Sequence, residues 1–542
     1  MATELRTAAV AGSGAQARPV ILVGFQAQGN LGLGYLSSTL RRAGYCVELL
    51  DIELPPDDIV AAIRRADPIL VGFSLIFQFY IRRYGDLIRT LRAHGVDCHF
   101  TMGGHYPSLS SRQTLTTVPE LDSVVRFEGE ITLLEMVAAL AEGRDWTGIP
   151  GLIHRRGGDI VANAARPLVE DLDSLPYPER SFAPEIVLGH KALPILASRG
   201  CARTCSFCSI HTFYRTAPGK VVRTRRPAEV VQEMQLLHRE RGITIFLFQD
   251  DDFPLFGKKW RAWAHAFVDE LHRSGLVGRM IWKISCRADA VDAELFVRMR
   301  DAGLYIVYMG LESGTEEGLV TLNKGITVAQ NRLAVQTLKQ LGIMFEFGFM
   351  LLDPSSTFES VHGNVAFLRD IVGDGSAAAT FCKMLPYDGT PIKDALEQSG
   401  RLKGDVCAPD YDFLDPRLDA FYQALARIVD VTGWIHGHRA LTPQLNWAWN
   451  ELAVIRQLFP RLPDTDAYEA ALRNLTRESN DLLFTVVENV ATIFATGKGC
   501  EPDPQALRRQ CDMALSRLLH ERNAFMARHQ TVLLRALQQA AA

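Results

Sequence analysis

The chain has 542 residues, 47% hydrophobic and 22% charged, with 58 Lys and Arg against 62 Asp and Glu for a net charge of −4. That length exceeds a single hydrophobic core and suggests about three domains. The charge balance gives no overall basic field for nucleic acid, and no run of about 18 apolar residues offers a membrane span.

Ten cysteines, scattered apart from one group of three, read as the reduced thiols of a cytoplasmic protein rather than a disulfide framework. Residues 1–17 are rich in Ala and Gly, lack an apolar signal core and are expected to form a disordered tail.

From 18 to 150 the chain alternates short β-branched runs with amphipathic segments. Strands are predicted at 20–25, 46–51, 69–74, 98–102 and 123–126, with helices near 32–43, 57–66, 79–94, 108–117 and 131–141. This is the pattern of a Rossmann-like, doubly wound α/β sheet, whose ligand lies beyond the carboxyl ends of the strands. Residues 151–190 read as a connector, a hairpin turning at Gly157-Gly158 followed by a proline-punctuated acidic linker.

Between 191 and 395, six strand candidates (193–197, 244–249, 281–286, 304–310, 344–350 and 379–385) alternate with helices near 227–241, 257–274, 291–302, 327–341 and 356–372. Six such units predict a partial (β/α)6, TIM-like barrel with its chemistry at the carboxyl rim. Residues 396–542 read as an α-helical C-terminal domain with helices at 415–431, 443–459, 465–491 with a possible break, and 504–538. Thr442 before Pro443 reads as a helix cap. Trp434, His436, Trp447 and Trp449 are candidates to line a substrate pocket, although alternate tryptophans on one helix cannot both face the core.

The group of three thiols is Cys201, Cys205 and Cys208, spaced C-x3-C-x2-C just after the first barrel strand, with Phe207 before the last. Three thiolates on one tight loop can hold three corners of a cubane iron–sulfur cluster and leave the fourth iron open to a non-protein ligand. Other rim residues follow the later strands. Asp250 and Asp251 lie in a run of three carboxylates that reads as a solvated acidic turn more than as a hard-metal site. Ser285 and Arg287 end the third strand, where the guanidinium could fork onto a carboxylate or pair with Asp289. Glu312 lies in Gly310-Leu311-Glu312-Ser313-Gly314 and needs a partner, either a polar cofactor or Arg287.

The cysteine spacing resembles the radical S-adenosylmethionine (SAM) superfamily. The run Gly103-Gly104-His105-Tyr106-Pro107, with Arg126-Phe127-Glu128-Gly129-Glu130 and the linker Leu172-Asp173-Ser174-Leu175-Pro176, is similar to the cobalamin-dependent class of that superfamily. The resemblance implies one [4Fe-4S] cluster on the three cysteines and SAM near Phe207, Asp250, Asp251, Ser285, Arg287 and Glu312. It also implies cobalamin against Gln26, Ser74, Gly103, Gly104, Glu128 and Gly129. Two departures stand out. Aligning Gly29 with the glycine of the D-x-H-x-x-G motif of methionine-synthase-type domains puts Gln26 in place of the cobalt-binding His, so the resemblance implies cobalamin held without histidine coordination. Asp353-Pro354-Ser355-Ser356-Thr357 replaces the usual Gly-x-Pro-Gly-Glu-Thr turn.

The activity implied is C-methylation of an unactivated carbon of a small biosynthetic intermediate, through a 5′-deoxyadenosyl radical and methylcobalamin, with an external electron donor such as flavodoxin or ferredoxin. The alternatives are oxidative cyclisation or rearrangement with cobalamin as redox partner, and a non-catalytic cobalamin sensor. A methylthiotransferase would need three further amino-terminal cysteines, whereas only Cys46 and Cys98 precede the linker. No nucleophile or triad stands out, so no catalytic side chain is named.

Overall fold

The computed structural model describes residues 18–533; the tail expected at 1–17 and the part of the expected last helix beyond 533 lie outside the described residues. The first sheet holds β1 (Val20–Gly24), β2 (Val47–Asp51), β3 (Leu70–Ser74), β4 (His99–Gly103) and β5 (Ser123–Val125), followed by β6 (Leu152–Arg156) and β7 (Asp159–Ala162), in the order β2-β1-β3-β4-β5-β6-β7. The first five strands are parallel. Every residue of β1 is buried because helices cover both faces, and such a strand reads as a continuous apolar run.

The hairpin expected in the connector is β6–β7. It joins this sheet, since Ser123, Val124 and Val125 pair with His154, Ile153 and Leu152. The single helix expected near 108–117 is two, His105–Leu109 and Ser111–Thr117, which meet at a non-helical Ser110. The Ser108 hydroxyl near the break bonds the carbonyl of Gly104 and the amide of Phe127, which holds the short first helix against the strand ends.

The second sheet contains β8 (Glu185–Val187), β9 (His190–Ile195), β12 (Ile243–Phe248), β13 (Ile281–Arg287), β14 (Leu304–Glu312), β15 (Met344–Leu352) and β16 (Cys382–Lys383). Six parallel strands run from β9 to β16, and β8 lies antiparallel on the open edge. This is the partial barrel that the alternation predicted. Between its first two strands, β10 (Ser198–Arg199) and β11 (Arg223–Thr224) form a separate two-residue ladder.

The helical region packs on the barrel rather than around a core of its own. Phe421, Leu445, Leu452 and Phe484 belong to the same buried cluster as Phe349 and Leu368. The helix Thr465–Thr496 runs without the expected break. The predicted Thr442 cap is not observed. The preceding helix starts at Leu441 with Ala440 at its cap, because Leu441 is buried and the Thr442 amide bonds the Trp434 carbonyl, drawing both residues into the first turn. A hairpin of β17 (Leu402–Asp405) and β18 (Ala408–Tyr411) was not anticipated. It reaches the first sheet, where Gln78 Nε2 donates to the Val406 carbonyl at 2.9 Å and Arg82 pairs with Asp405 at 2.6 Å.

The linker is fixed to the barrel by a buried charge cluster. Glu233 is completely buried and lies 2.7 Å from Arg180 of the linker and 2.5 Å from Arg225. Removing the anion would leave two buried guanidinium groups facing each other. Glu233→Ala is therefore expected to lower unfolding stability by about 3–5 kcal/mol in a urea titration; an unchanged midpoint would contradict a locking role.

Candidate active site between the two sheets

The thiol loop begins where the chain leaves the β10–β11 ladder. Gly200 has φ +89°, and a Cβ there would lie 1.9 Å from the Val221 carbonyl oxygen, so only glycine can make this turn. Cys201, Cys205 and Cys208 follow, and a helix, Ser209–Thr216, starts immediately after the third. All three are free thiols, with Cys205 buried. Burial pushes the Cys201 thiol up to about 12 and the Cys208 thiol to about 11, so each becomes a thiolate only beside a cation. Among the described residues no three His, Cys, Asp or Glu side chains converge on a single ion. Three thiols that each take a separate iron need not converge, so this soft donor set fits a cubane cluster.

Within the acidic turn Asp250 is buried and Asp251 opens onto the cavity between the two sheets. Asp250 accepts from the Ser198 hydroxyl at 2.5 Å and from the Ala197 amide at 3.3 Å, while Asp251 accepts from the Gly200 amide at 2.9 Å. Both carboxylates brace the start of the thiol loop. Asp252, which sequence reasoning passed over, lies 3.9 Å from Cys201 Sγ. Arg287 pairs with Asp289 at 3.0 Å, donates to the Lys324 carbonyl at 2.6 Å and lies 3.6 Å from Cys205 Sγ. Of its two readings, the turn-closing ion pair is the one observed, and it sets the guanidinium beside a thiol. Glu312 takes Lys324 as its partner at 2.9 Å, not Arg287. Lys324 Nζ in turn sits 6.0 Å from the Phe207 ring centre. Ser285 is half-buried on β13, two residues before Arg287.

A cavity of about 460 Å³ separates the carboxyl ends of the first sheet from the thiol loop. Ser74, Gly103, Gly104, Glu128 and Gly129 line one side as expected, and Leu196, Phe213 and Asp251 line the other. Gly104 has φ +109°, and a Cβ would lie 2.3 Å from the Leu75 carbonyl oxygen, so only glycine fits where this turn packs against the neighbouring strand end. Gln26 does not reach the cavity. Its Nε2 lies 3.4 Å from Ser181 Oγ, on the linker side. Phe77 and Tyr80 also line the cavity, both large apolar residues left exposed beyond the carboxyl end of the third strand.

His105, which follows the paired glycines, lines the cavity edge-on to Phe213 at 4.5 Å. Burial lowers its pKa and raises that of Asp251, so both members of this facing pair are pushed toward neutrality. Glu128 also has a second duty. It is gripped by Arg223 at 2.8 Å and Arg199 at 3.2 Å and accepts from the Val169 amide at 2.7 Å, while Arg199 holds Glu130 at 2.7 Å. A second cavity, of about 520 Å³, occupies the barrel lumen and shares Gln249 with the first. Trp447 lines this lumen. Trp449 and Trp434 instead bond Thr476 and Ser479 within the helical region.

Two family models match, a B12 binding domain over residues 18–137 and the radical SAM superfamily over residues 195–368. An uncharacterized methyltransferase of Pyrococcus horikoshii is 30% identical over 368 residues, which covers 67% of this chain and 77% of that protein. The chain belongs to the cobalamin-dependent radical SAM enzymes. Its cofactors are a [4Fe-4S] cluster, SAM and cobalamin. The anaerobic magnesium-protoporphyrin IX monomethyl ester cyclase of Rubrivivax gelatinosus is 28% identical over 401 residues, covering 71% of this chain and 68% of that one. The structure of the cobalamin-dependent radical SAM enzyme OxsB with aqua-cobalamin bound shares the fold, with a TM-score of 0.69 at 18% identity over 96% of this chain and 83% of that chain. No described helix of this radical SAM enzyme is long and apolar enough to cross a membrane.

Asp250 offers a test that needs no cofactor. Burial raises its carboxyl from 3.8 to about 7, so the folded chain holds a proton that the unfolded chain has already released. The stabilisation from this group is complete below about pH 4 and declines as pH rises toward 7. Asp250→Asn is expected to flatten the pH dependence of the urea midpoint of the apoprotein across that window; an unchanged slope would show that Asp250 titrates normally.

Proposed function

We propose that the enzyme is a C-methyltransferase acting on an unactivated carbon of a small biosynthetic intermediate. The observation that carries this reading is the shared wall: Arg199 and Asp251 line the cavity beyond Gly103-Gly104, and Asp251 also braces the turn into Cys201. When bound, the cluster and SAM supply a 5′-deoxyadenosyl radical and cobalamin supplies the methyl group.

In this reading Cys201, Cys205 and Cys208 hold the cluster. Ser285, Glu312 and Asp251 offer oxygens to SAM, Arg287 fixes the rim beside Cys205, and Asp250 holds the loop. Ser74, Gly103, Gly104 and Gly129 form the cobalamin wall. The protein's part is to orient these groups and exclude water from the space between them. An external donor such as flavodoxin or ferredoxin delivers the electron. A second reading, oxidative cyclisation or rearrangement without methyl transfer, is favoured by the likeness to the cyclase of Rubrivivax gelatinosus.

Anaerobic reconstitution is expected to give about four irons per chain and a brown chromophore that Cys→Ala at 201, 205 or 208 abolishes; a colourless zinc-loaded protein would overturn the assignment of these ligands. Methyl-labelled SAM is expected to leave its label in the product. Release of 5′-deoxyadenosine with an unlabelled product would transfer the case to the cyclase reading, and release of none with any substrate would leave a cobalamin sensor.

A further inference from the structure

The barrel lumen is closed at its lower end by the helix Leu441–Leu458, which presents Asn446, Trp447 and Asn450 to the inward faces of β12 to β15. Inside it, Lys283 Nζ lies 2.5 Å from Glu346 Oε2. Both side chains remain partly open, at 27% and 22% exposure. An ion pair that only closed a core would be covered, whereas this one faces a cavity of about 520 Å³.

The charges and unused acceptors around the lumen are one-sided. Glu185 and Glu346 set two carboxylates against the single ammonium of Lys283. Among the described residues none donates to Glu346 Oε1, and Asn450 Oδ1 is buried without a partner. A phosphoryl group, or a carboxylate on a molecule without an amine of its own, would meet like charge here. A ligand nitrogen with several N–H groups would satisfy the open acceptors and restore neutrality. Trp447 and Tyr305 give the same space an aromatic wall suited to a flat or apolar body. Gln249 lines both this lumen and the cavity between the two sheets, so a molecule seated on Glu346 would extend upward toward the thiol loop.

We propose that the lumen is the substrate chamber and that its substrate carries a basic amine, bound at Glu346, on a flat apolar body resting against Trp447, with Lys283 free to take a carboxylate where the amine belongs to an amino acid. This rests on the reading that the radical centre acts on a small molecule. It assigns Lys283 and Glu346 to specificity.

The test uses the reconstituted holoenzyme and isothermal titration with four probes of one shape: phenethylamine, L-phenylalanine, 3-phenylpropionate and phenyl phosphate. The two amines are expected to bind at least tenfold more tightly than the two anions. Glu346→Gln is expected to erase that preference. Lys283→Met is expected to weaken L-phenylalanine while sparing phenethylamine, which provides a second readout should the glutamate variant not fold. Anions binding as tightly as amines, no binding by any probe, or an unaltered preference in Glu346→Gln would each overturn the proposal. Formation of 5′-deoxyadenosine by the wild-type holoenzyme under dithionite separates the two levels. Its presence without amine selectivity sinks the chamber alone, and its absence sinks the radical reading beneath it.

Discussion

Two arginines and two glutamates hold the working parts of this enzyme in register. Arg199 and Arg223 extend from the short ladder that brackets the thiol loop, and Glu128 and Glu130 extend from the turn after the fifth strand of the first sheet. All four side chains are nearly inaccessible to water, so none can lose its partner without leaving an uncompensated charge in a medium that solvates it poorly. A buried ion cluster of this kind adds little net stability compared with apolar packing. It does penalise every other placement of the two sheets, and placement is what a reaction shared between two cofactors demands.

The same economy of groups recurs around the thiols. Asp250 and Asp251 receive the hydroxyl and amides of residues 197 to 200, and Arg287 ties the third barrel strand to the segment after Glu312 while resting beside Cys205. The loop is thus braced from several strands before any iron is bound. Lys324 and Glu312 neutralise one another on the same rim, which keeps an acidic side chain in a place where it would otherwise be costly. Below the rim, the helical region closes the lumen with one face of a single helix and shares the barrel's core instead of forming its own.

Much of this was legible in the chain. Periodicity located the five parallel strands of the first sheet and all six of the barrel, because strands buried between two helical layers are uninterrupted apolar runs. The cysteine spacing and the paired glycines marked the thiol loop and the glycine wall of the cavity, since each motif is a local backbone requirement. Position along the chain could not say where a side chain would turn. Gln26 occupies the position of a motif residue yet points to the linker. Glu128 lines the cavity but spends its carboxylate on Arg199 and Arg223. Glu312 found Lys324, twelve residues away, in preference to Arg287. Tyr80 carries no signature, and His105 stands in a recognisable run that does not reveal its role, because an exposed aromatic or a histidine after a turn gains meaning only from what faces it.

By itself, then, the sequence determined the elements, the fold class, the family and the three thiols, all of which depend on contacts within a few residues or on repeating patterns. Only the tertiary structure decided which charges neutralise one another, which walls face across the cavity and what seals the lumen. Those outcomes depend on groups 50 to 100 positions apart, such as Arg199 with Glu128 and Glu130 or Lys283 with Glu346, that desolvation forces to find partners once the sheets close.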